Sequence, residues 1–179
     1  VKMSRLETGV IQIRKERGDL FDTLAGAVAA VVPAASKKGI ALEVEGGGEK
    51  LSGETDKNRL LLSHDRKWTE EAVYNLLDNA VKYTPEGGRV TLCVEKKEIF
   101  TEIHVRDTGK GIALERQAQI FTRFYREPEV QDLEGLGIGL YLTRKIAELQ
   151  GGYVEVRSEA GKGADFCLFL PNAGTLTVS

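Results

Sequence analysis

The stretch from Lys67 to Tyr83 constrains this chain most. At about 100° per residue, Val73, Leu76, Leu77, Ala80 and Val81 gather on one side of a helix, while Glu71, Asn75, Asn79, Lys82 and Tyr83 share a sector of roughly 120° on the other. Pro85 and the turn at Gly87-Gly88 stop it. A helix that is apolar on one side needs a layer to lie on. Strand patterns follow in hairpin order, near 89–96 and 99–106 and again at Tyr153 to Arg157 and Ala164 to Leu170, the second pair turning through Gly161 and Gly163.

The remaining elements complete two layers. Ile11 and Ile13 alternate with polar residues as a short strand does, and Asp19 caps a helix to Lys38 that Gly39 ends and Pro33 bends or interrupts. Ile40, Leu42 and Val44 alternate as a strand, Gly46 to Gly53 form a glycine loop, and Leu60 to Leu62 read as a strand before a capping Ser63 or Asp65. A short helix is expected near 113–121 and a longer one from 138 to Gln150. The sum is α+β, a two-layer α/β sandwich with a mixed, mostly antiparallel sheet under three helices.

At 179 residues there is room for one sizeable domain with short appendages, and no stretch reads as a bilayer crossing of about 20 apolar residues. With 25 basic and 27 acidic side chains the chain lacks the field that gathers nucleic acid, so any phosphate must be held locally. Cys93 and Cys167 stand alone in apolar runs without partners at metal spacing, which predicts buried reduced thiols and a reducing cytoplasm.

Four segments carry chemistry. Polar helix faces are usually Glu, Lys and Arg, whereas asparagine competes for backbone hydrogen bonds, so Asn75 and Asn79 are either an unusual solvated face or a site. A neutral amide oxygen suits Mg²⁺, which keeps waters beside substrate phosphates. Asn79 is the first choice of ligand, Asn75 supports the metal and its waters, and Lys82 offers a point charge to phosphate. Glu71 is the weakest member. The loop Asp107-Thr108-Gly109-Lys110-Gly111 is either a plain turn or a place where backbone approaches a planar ligand. There the Asp107 carboxylate would accept from the exocyclic amine of adenine and oppose the oxygen of guanine, selecting ATP over GTP.

Gly135-Leu136-Gly137-Ile138-Gly139-Leu140 opens a helix whose free N–H groups can cradle anionic oxygens; it is neither a Rossmann fingerprint nor a Walker loop. Glu127 to Glu134 read as a lid over phosphates or as a surface loop. In Phe121-Thr122-Arg123-Phe124-Tyr125-Arg126 the phenylalanines pack, and Arg126 either steadies the transferring γ-phosphate or makes a surface salt bridge.

In this order the four segments resemble the catalytic and ATP-binding domain of sensor histidine kinases, within the superfamily shared with gyrase-type ATPases and heat-shock chaperones. Asn75 to Thr84 is similar to the N box, Asp107 to Ile112 to the first glycine box, Phe121 to Arg126 to the F box, and Gly135 to Leu140 to the second glycine box. The resemblance implies a Bergerat-type fold, with ATP and Mg²⁺ as nucleotide and metal. It implies Mg²⁺ on Asn79, phosphates attended by Asn75, Lys82 and Arg126, and a nucleoside flanked by Tyr83 and Ile112. Asp107 then reads adenine, Gly109 and Gly111 shape its loop, and the segment of Gly135, Gly137, Ile138, Gly139 and Leu140 closes on phosphate. Where family members carry Ser or Thr after the glycine near the last hairpin, this chain has Gly163-Ala164.

Met3 to Glu7 followed by Gly9 is similar to the end of a dimerisation helix, so the expected division is a stub at 1–9, the catalytic domain at 10–172 and a tail at 173–179. The histidine box is missing, and Ser63-His64-Asp65 imitates only its opening, so His64 is not expected to accept phosphate; His104 reads as a structural side chain. Beginning at Val1, the chain reads as a fragment. Its expected partners are its own dimerisation and phosphotransfer domain and a response regulator, the fragment being monomeric and the parent a homodimer anchored in a bacterial inner membrane. A gyrase- or chaperone-type ATPase would need a glutamate as general base where Asn75 stands, and an amide cannot take that proton. An anti-sigma serine kinase is disfavoured by the helix stub and Phe124-Tyr125-Arg126, and a non-catalytic ATP sensor by the full set of segments.

Overall fold

A computed structural model describes residues 11–46, 59–122 and 139–172. The element order is β1 (Glu16–Asp19), α1 (Leu20–Lys38), β2 (Ala41–Gly46), β3 (Leu61–His64), α2 (Arg66–Tyr83), β4 (Arg89–Lys96), β5 (Phe100–Asp107), α3 (Leu114–Gln117), α4 (Gly139–Leu149), β6 (Tyr153–Ser158) and β7 (Ala164–Pro171). Five strands form one sheet in the order β2-β4-β5-β7-β6, and β1 pairs with β3 in a separate two-stranded ribbon. Only β2 on β4 is parallel within the large sheet; its other three pairings are antiparallel. This is the mixed α+β sandwich expected from the pattern.

The central helix α2 lies between α1 and α4 and packs on β4 and β5. Its buried side chains, among them Trp68, Val73, Leu76, Leu77 and Val81, meet Val90, Leu92, Ile103, Val105, Phe166 and Leu168 of the sheet. Each such side chain contributes roughly 1.5–3 kcal/mol by leaving water. The asparagines on the opposite side of α2 are therefore held on a rigid element.

Both helix starts are clamped by aspartate. Asp19 Oδ1 accepts from Phe21 N at 3.0 Å and from Leu60 N at 3.1 Å, joining the α1 cap to the β3 entry. Asp65 does more: Oδ1 accepts from Trp68 N at 2.9 Å, Oδ2 accepts from Arg14 N at 2.8 Å, and its own N–H donates to Gln150 Oε1 at 2.8 Å. Gln150 Nε2 donates onward to Thr69 Oγ1 at 2.9 Å, so the buried amide locks the end of α4 to the start of α2.

Four expectations change. The strand falls at Glu16–Asp19, not at Ile11 and Ile13; those two are half-buried against the core without a ladder partner, so their alternation records one-sided burial. Pro33 does not interrupt α1, because it lies on the exposed side, where water can satisfy the carbonyl one turn earlier. The helix near 113–121 shrinks to Leu114–Gln117. Its successors, Gln119 N to Arg116 O and Thr122 N to Gln119 O, make three-residue turns instead. Finally, α1 does reach the length and apolar composition of a bilayer crossing, but Leu20, Leu24, Ala27, Val31 and Ala35 form a buried stripe facing the core. Gly46 ends β2. The rest of the glycine loop and residues 1–9 and 173–179 lie outside the described residues.

Candidate functional site

The polar side of α2 faces the start of α4. Asn75 Nδ2 donates to Gly139 O at 3.3 Å, and the same carbonyl accepts from Thr143 Oγ1 at 2.9 Å. Thr143, fully buried, also reaches Ala72 O at 3.3 Å, which stitches the first turn of α4 to the middle of α2. Leu140 packs partly buried against the core and anchors that turn. Of the second glycine segment, Gly139 is thus brought to Asn75, while Leu140 turns to the core. Gly135, Gly137 and Ile138, together with Arg126 and the expected lid, lie outside the described residues.

Asn79 is half-buried one turn beyond Asn75, and its side chain makes no hydrogen bond among the described residues. An amide oxygen left open among the described residues, on a rigid helix, fits the hard, oxygen-seeking donor set of Mg²⁺. Lys82 Nζ is 3.1 Å from Asp78 Oδ2 in a partly exposed pair along the helix, so its charge is shared with a carboxylate. Lys38 Nζ donates to the carbonyls of Val81 and Lys82, both at 2.8 Å, and closes the helix C-terminus.

The first glycine loop lies against that C-terminus. A Cβ on Gly109 would meet the Tyr83 carbonyl, and Lys110 Nζ stands 5.2 Å from the centre of the Tyr83 ring. Asp107 Oδ1 accepts from Gly109 N at 2.8 Å. Burial pushes the Asp107 carboxyl above its ordinary value, and the N–H groups of Gly109 and Ala164 partly oppose this by favouring the charged form. The carboxylate is half-buried and held by backbone at the C-terminal end of β5, the central strand of the sheet.

Gly111 (φ +73°) and Gly163 (φ +79°) interlock this loop with the β6–β7 hairpin. A Cβ on Gly111 would collide with the Glu159 carbonyl, and one on Gly163 with that of Asp107. Two residues that sequence reasoning missed complete the joint. Ser158 Oγ accepts from Ile112 N at 2.8 Å and donates to Gly163 O at 2.6 Å, and Gln117 Nε2 donates to Ile112 O at 2.9 Å and Ser158 O at 2.8 Å. Thr84, wholly buried just after Tyr83, has a hydroxyl with no partner among the described residues. Such a group costs about 1–3 kcal/mol unless a water or ligand atom meets it. Only the serine could have been flagged, by its place before the hairpin turn.

Ile112 is buried, and Phe121 packs edge-on to Phe166 with ring centres 6.0 Å apart, so the start of the F box segment is core. His64 is fully buried: Nδ1 lies 2.8 Å from Leu62 O and Nε2 2.8 Å from Thr23 Oγ1. The carbonyl only accepts, so Nδ1 carries the hydrogen and Nε2 accepts from the hydroxyl. Both nitrogens are engaged, and no phosphate can reach them.

Residues 64–174 match the family described as histidine kinase-, DNA gyrase B-, and HSP90-like ATPase. Over 171 residues the chain is 33% identical to the alginate biosynthesis sensor protein KinB of Pseudomonas aeruginosa, covering 96% of this chain and 27% of that one. It is 44% identical over 105 residues to the sensor protein kinase PmrB of Pseudomonas aeruginosa, covering 58% of this chain and 22% of that protein. The chain therefore spans roughly a quarter of the length of these curated relatives. Among solved structures, full-length ShkA in complex with AMPPNP superposes with a TM-score of 0.77 at 27% identity, over 95% of this chain and 34% of that one. The mycobacterial sensor histidine kinase MprB gives 0.72 at 24% identity, over 89% and 98%, which bears on the fold alone.

Proposed function

Because this chain belongs to the histidine kinase-, DNA gyrase B- and HSP90-like ATPase family, we propose that it is the ATP-binding catalytic domain of a two-component sensor histidine kinase. The observation that carries the reading is the neutral amide of Asn75, tied to Gly139 O at 3.3 Å, at the place where a water-activating member needs a carboxylate base. With no base there to deprotonate water, the γ-phosphate is kept for a better nucleophile. Relatives named as sensor kinases support the same choice.

In this reading residues 10–172 are the catalytic unit, 1–9 the end of a dimerisation helix and 173–179 a tail. Asp107 takes the adenine amine while Tyr83 and Ile112 flank the nucleoside. Gly109 and Gly111 let the loop backbone come close. Asn75, Lys82 and Arg126 attend the phosphates, and the second glycine segment from Gly135 through Gly137, Ile138, Gly139 and Leu140 closes over them. Asn79 Oδ1 holds Mg²⁺, which when bound neutralises charge on the triphosphate. A histidine nitrogen of the dimerisation domain then attacks the γ-phosphorus; the bond to the β,γ-bridging oxygen breaks and ADP leaves. An aspartate of a response regulator afterwards takes the phosphoryl group. The parent is a homodimer anchored in a bacterial inner membrane with this domain in the cytoplasm.

The test is transfer of labelled γ-phosphate from ATP to a separately supplied dimerisation domain, alongside nucleotide titration of the chain. We expect saturable, magnesium-dependent binding that prefers ATP to GTP, and transfer that Asn79→Ala abolishes. Normal transfer by that variant would remove Asn79 as the metal ligand, and the absence of any magnesium-dependent ATP preference would sink the reading as a whole.

A further inference from the structure

The face of the sheet turned away from the helices carries a cluster that nucleotide chemistry does not use. Residues 102, 104 and 106 of β5 point to this face, as do 165, 167 and 169 of β7, because side chains alternate along a strand. His104 pairs with Cys167 across β5 and β7. His104 Nε2 lies 2.9 Å from Glu102 Oε1, 3.4 Å from Glu95 Oε1 and 3.6 Å from Cys167 Sγ. The ligand atoms of Glu102, His104 and Cys167 all lie within 4.8 Å of one another.

We propose that His104, Cys167 and Glu102 form a zinc-binding site, with Glu95 swinging in from the exposed rim as the fourth ligand, that clasps β4, β5 and β7 on the face opposite the nucleotide. Bonds of about 2.0–2.3 Å at the tetrahedral angle put zinc ligands roughly 3.3–3.6 Å apart, which the separations of Cys167 Sγ and Glu95 Oε1 from His104 Nε2 match. Glu102 must open by a few tenths of an ångström.

Two further features are those of a metal-ligating histidine. Nδ1 lies 3.0 Å from Asp165 Oδ1 and Nε2 2.9 Å from Glu102 Oε1, so each ring nitrogen faces a carboxylate acceptor; an ion at Nε2 would replace the proton there while the Nδ1–H bond to Asp165 holds the ring in place. Arg106 Nε, 3.3 Å from Asp165 Oδ2, holds that carboxylate in turn. The charge balance also asks for a cation. Three carboxylates, Glu95, Glu102 and Asp165, face one imidazole, which supplies at most one positive charge; Arg106 pairs with Asp165, Lys97 meets Glu95 at 3.6 Å on the rim, and Glu155 and Arg157, opposite Cys167 and Asp165 on β6, offset each other. His104 and Cys167 are buried but Glu95 is 42% exposed, which gives an ion a way in. A mixed nitrogen, sulfur and oxygen set suits zinc and not magnesium.

The experiment titrates the metal-stripped 179-residue chain with zinc against a chromophoric chelator, and with cobalt by absorbance. One zinc per chain is expected, together with the intense visible bands of tetrahedral cobalt and a thiolate-to-cobalt charge-transfer band. Cys167→Ser should remove that charge-transfer band, and His104→Gln or Glu102→Gln should weaken zinc by at least about 100-fold, with Asp165→Asn costing about 10- to 100-fold. Asn79→Ala and Cys93→Ser should bind zinc as the parent does, separating this site from the nucleotide site and from the other thiol. Glu95→Gln, on the exposed rim, gives a readout should a core variant fail to fold; it should lose at least about tenfold. No stoichiometric zinc, a cobalt spectrum without the sulfur band, or Glu102→Gln and Glu95→Gln variants that bind normally would each overturn the proposal.

Discussion

Strands β5 and β7 build two sites in opposite ways. Where Asp107 pairs with Ala164 at the end of the ladder, the candidate nucleotide site is made largely of backbone: glycines that must lack a Cβ, N–H groups aimed at a carboxylate, and a hairpin locked by Ser158. Three residues away, where His104 pairs with Cys167, the outer cluster is made only of side chains, drawn from β4, β5 and β7. The first centres on one contiguous loop, residues 107–111, pinned by a distant hairpin, whereas the second is assembled wholly from side chains on strands far apart in the chain. The two should therefore fail differently when changed.

The largest contrast is steric. Gly111→Ala drives a methyl group into the Glu159 carbonyl from a left-handed backbone, whereas Gly161→Ala, at φ +83°, meets nothing within 4 Å. Urea denaturation should show a loss of about 3 kcal/mol or more for the first, with ATP binding lost, and only about 1–2 kcal/mol for the second. Equal losses would mean that the interlock with the hairpin does not matter. Asp107→Asn comes next. It keeps the shape but turns one acceptor into a donor, so calorimetry should show ATP weakened by about 10- to 100-fold and the preference over GTP reduced, while zinc affinity on the other face stays unchanged. Unchanged ATP affinity would take Asp107 out of the adenine site.

The two histidines extend the contrast to protons. Burial holds the His64 pKa below its ordinary 6.5, since the fully buried ring would have to carry its charge away from water, with Arg66 adding to the effect. As pH falls past that ordinary value, the unfolded chain binds a proton that the folded chain refuses. Stability should therefore decline toward acid, by up to about 1.4 kcal/mol per pH unit, until the folded state also titrates. His64→Gln should flatten this decline relative to the parent in urea midpoints between about pH 7.5 and 5. An undiminished slope would assign the acid sensitivity elsewhere. The smallest effect belongs to Ala164→Ser, which adds a hydroxyl beside Asp107 and should tighten ATP by a few-fold, within about 1 kcal/mol; a weaker complex would show that the added oxygen lacks a partner.

Much of this was legible in order along the chain. The amphipathic period placed α2 to within one residue of Arg66–Tyr83, Asp19 and Gly39 marked the ends of α1, and the glycines of the Asp107 to Gly111 loop marked its close approaches. Legibility ended where a local signal had two causes. Ile11 and Ile13 alternate because one side is covered, with no strand pairing involved, and Pro33 was expected to bend or interrupt a helix that in fact runs on through it. Ser158 could have been flagged by its place before the hairpin turn, but the role of Gln117 could not, because it lies in which backbone atoms the folded hairpin brings near.

By itself the amino-acid order determined the family, the layered fold and the α2 face with its two asparagines, since these rest on periodicity, capping and contiguous loops that interact over a few residues. Only the tertiary structure decided that Cys167, without a partner at metal spacing along the chain, stands 3.6 Å from His104 with Glu102 beside it. Sheet register joins residues 63 positions apart, and nothing local to either strand encodes that register.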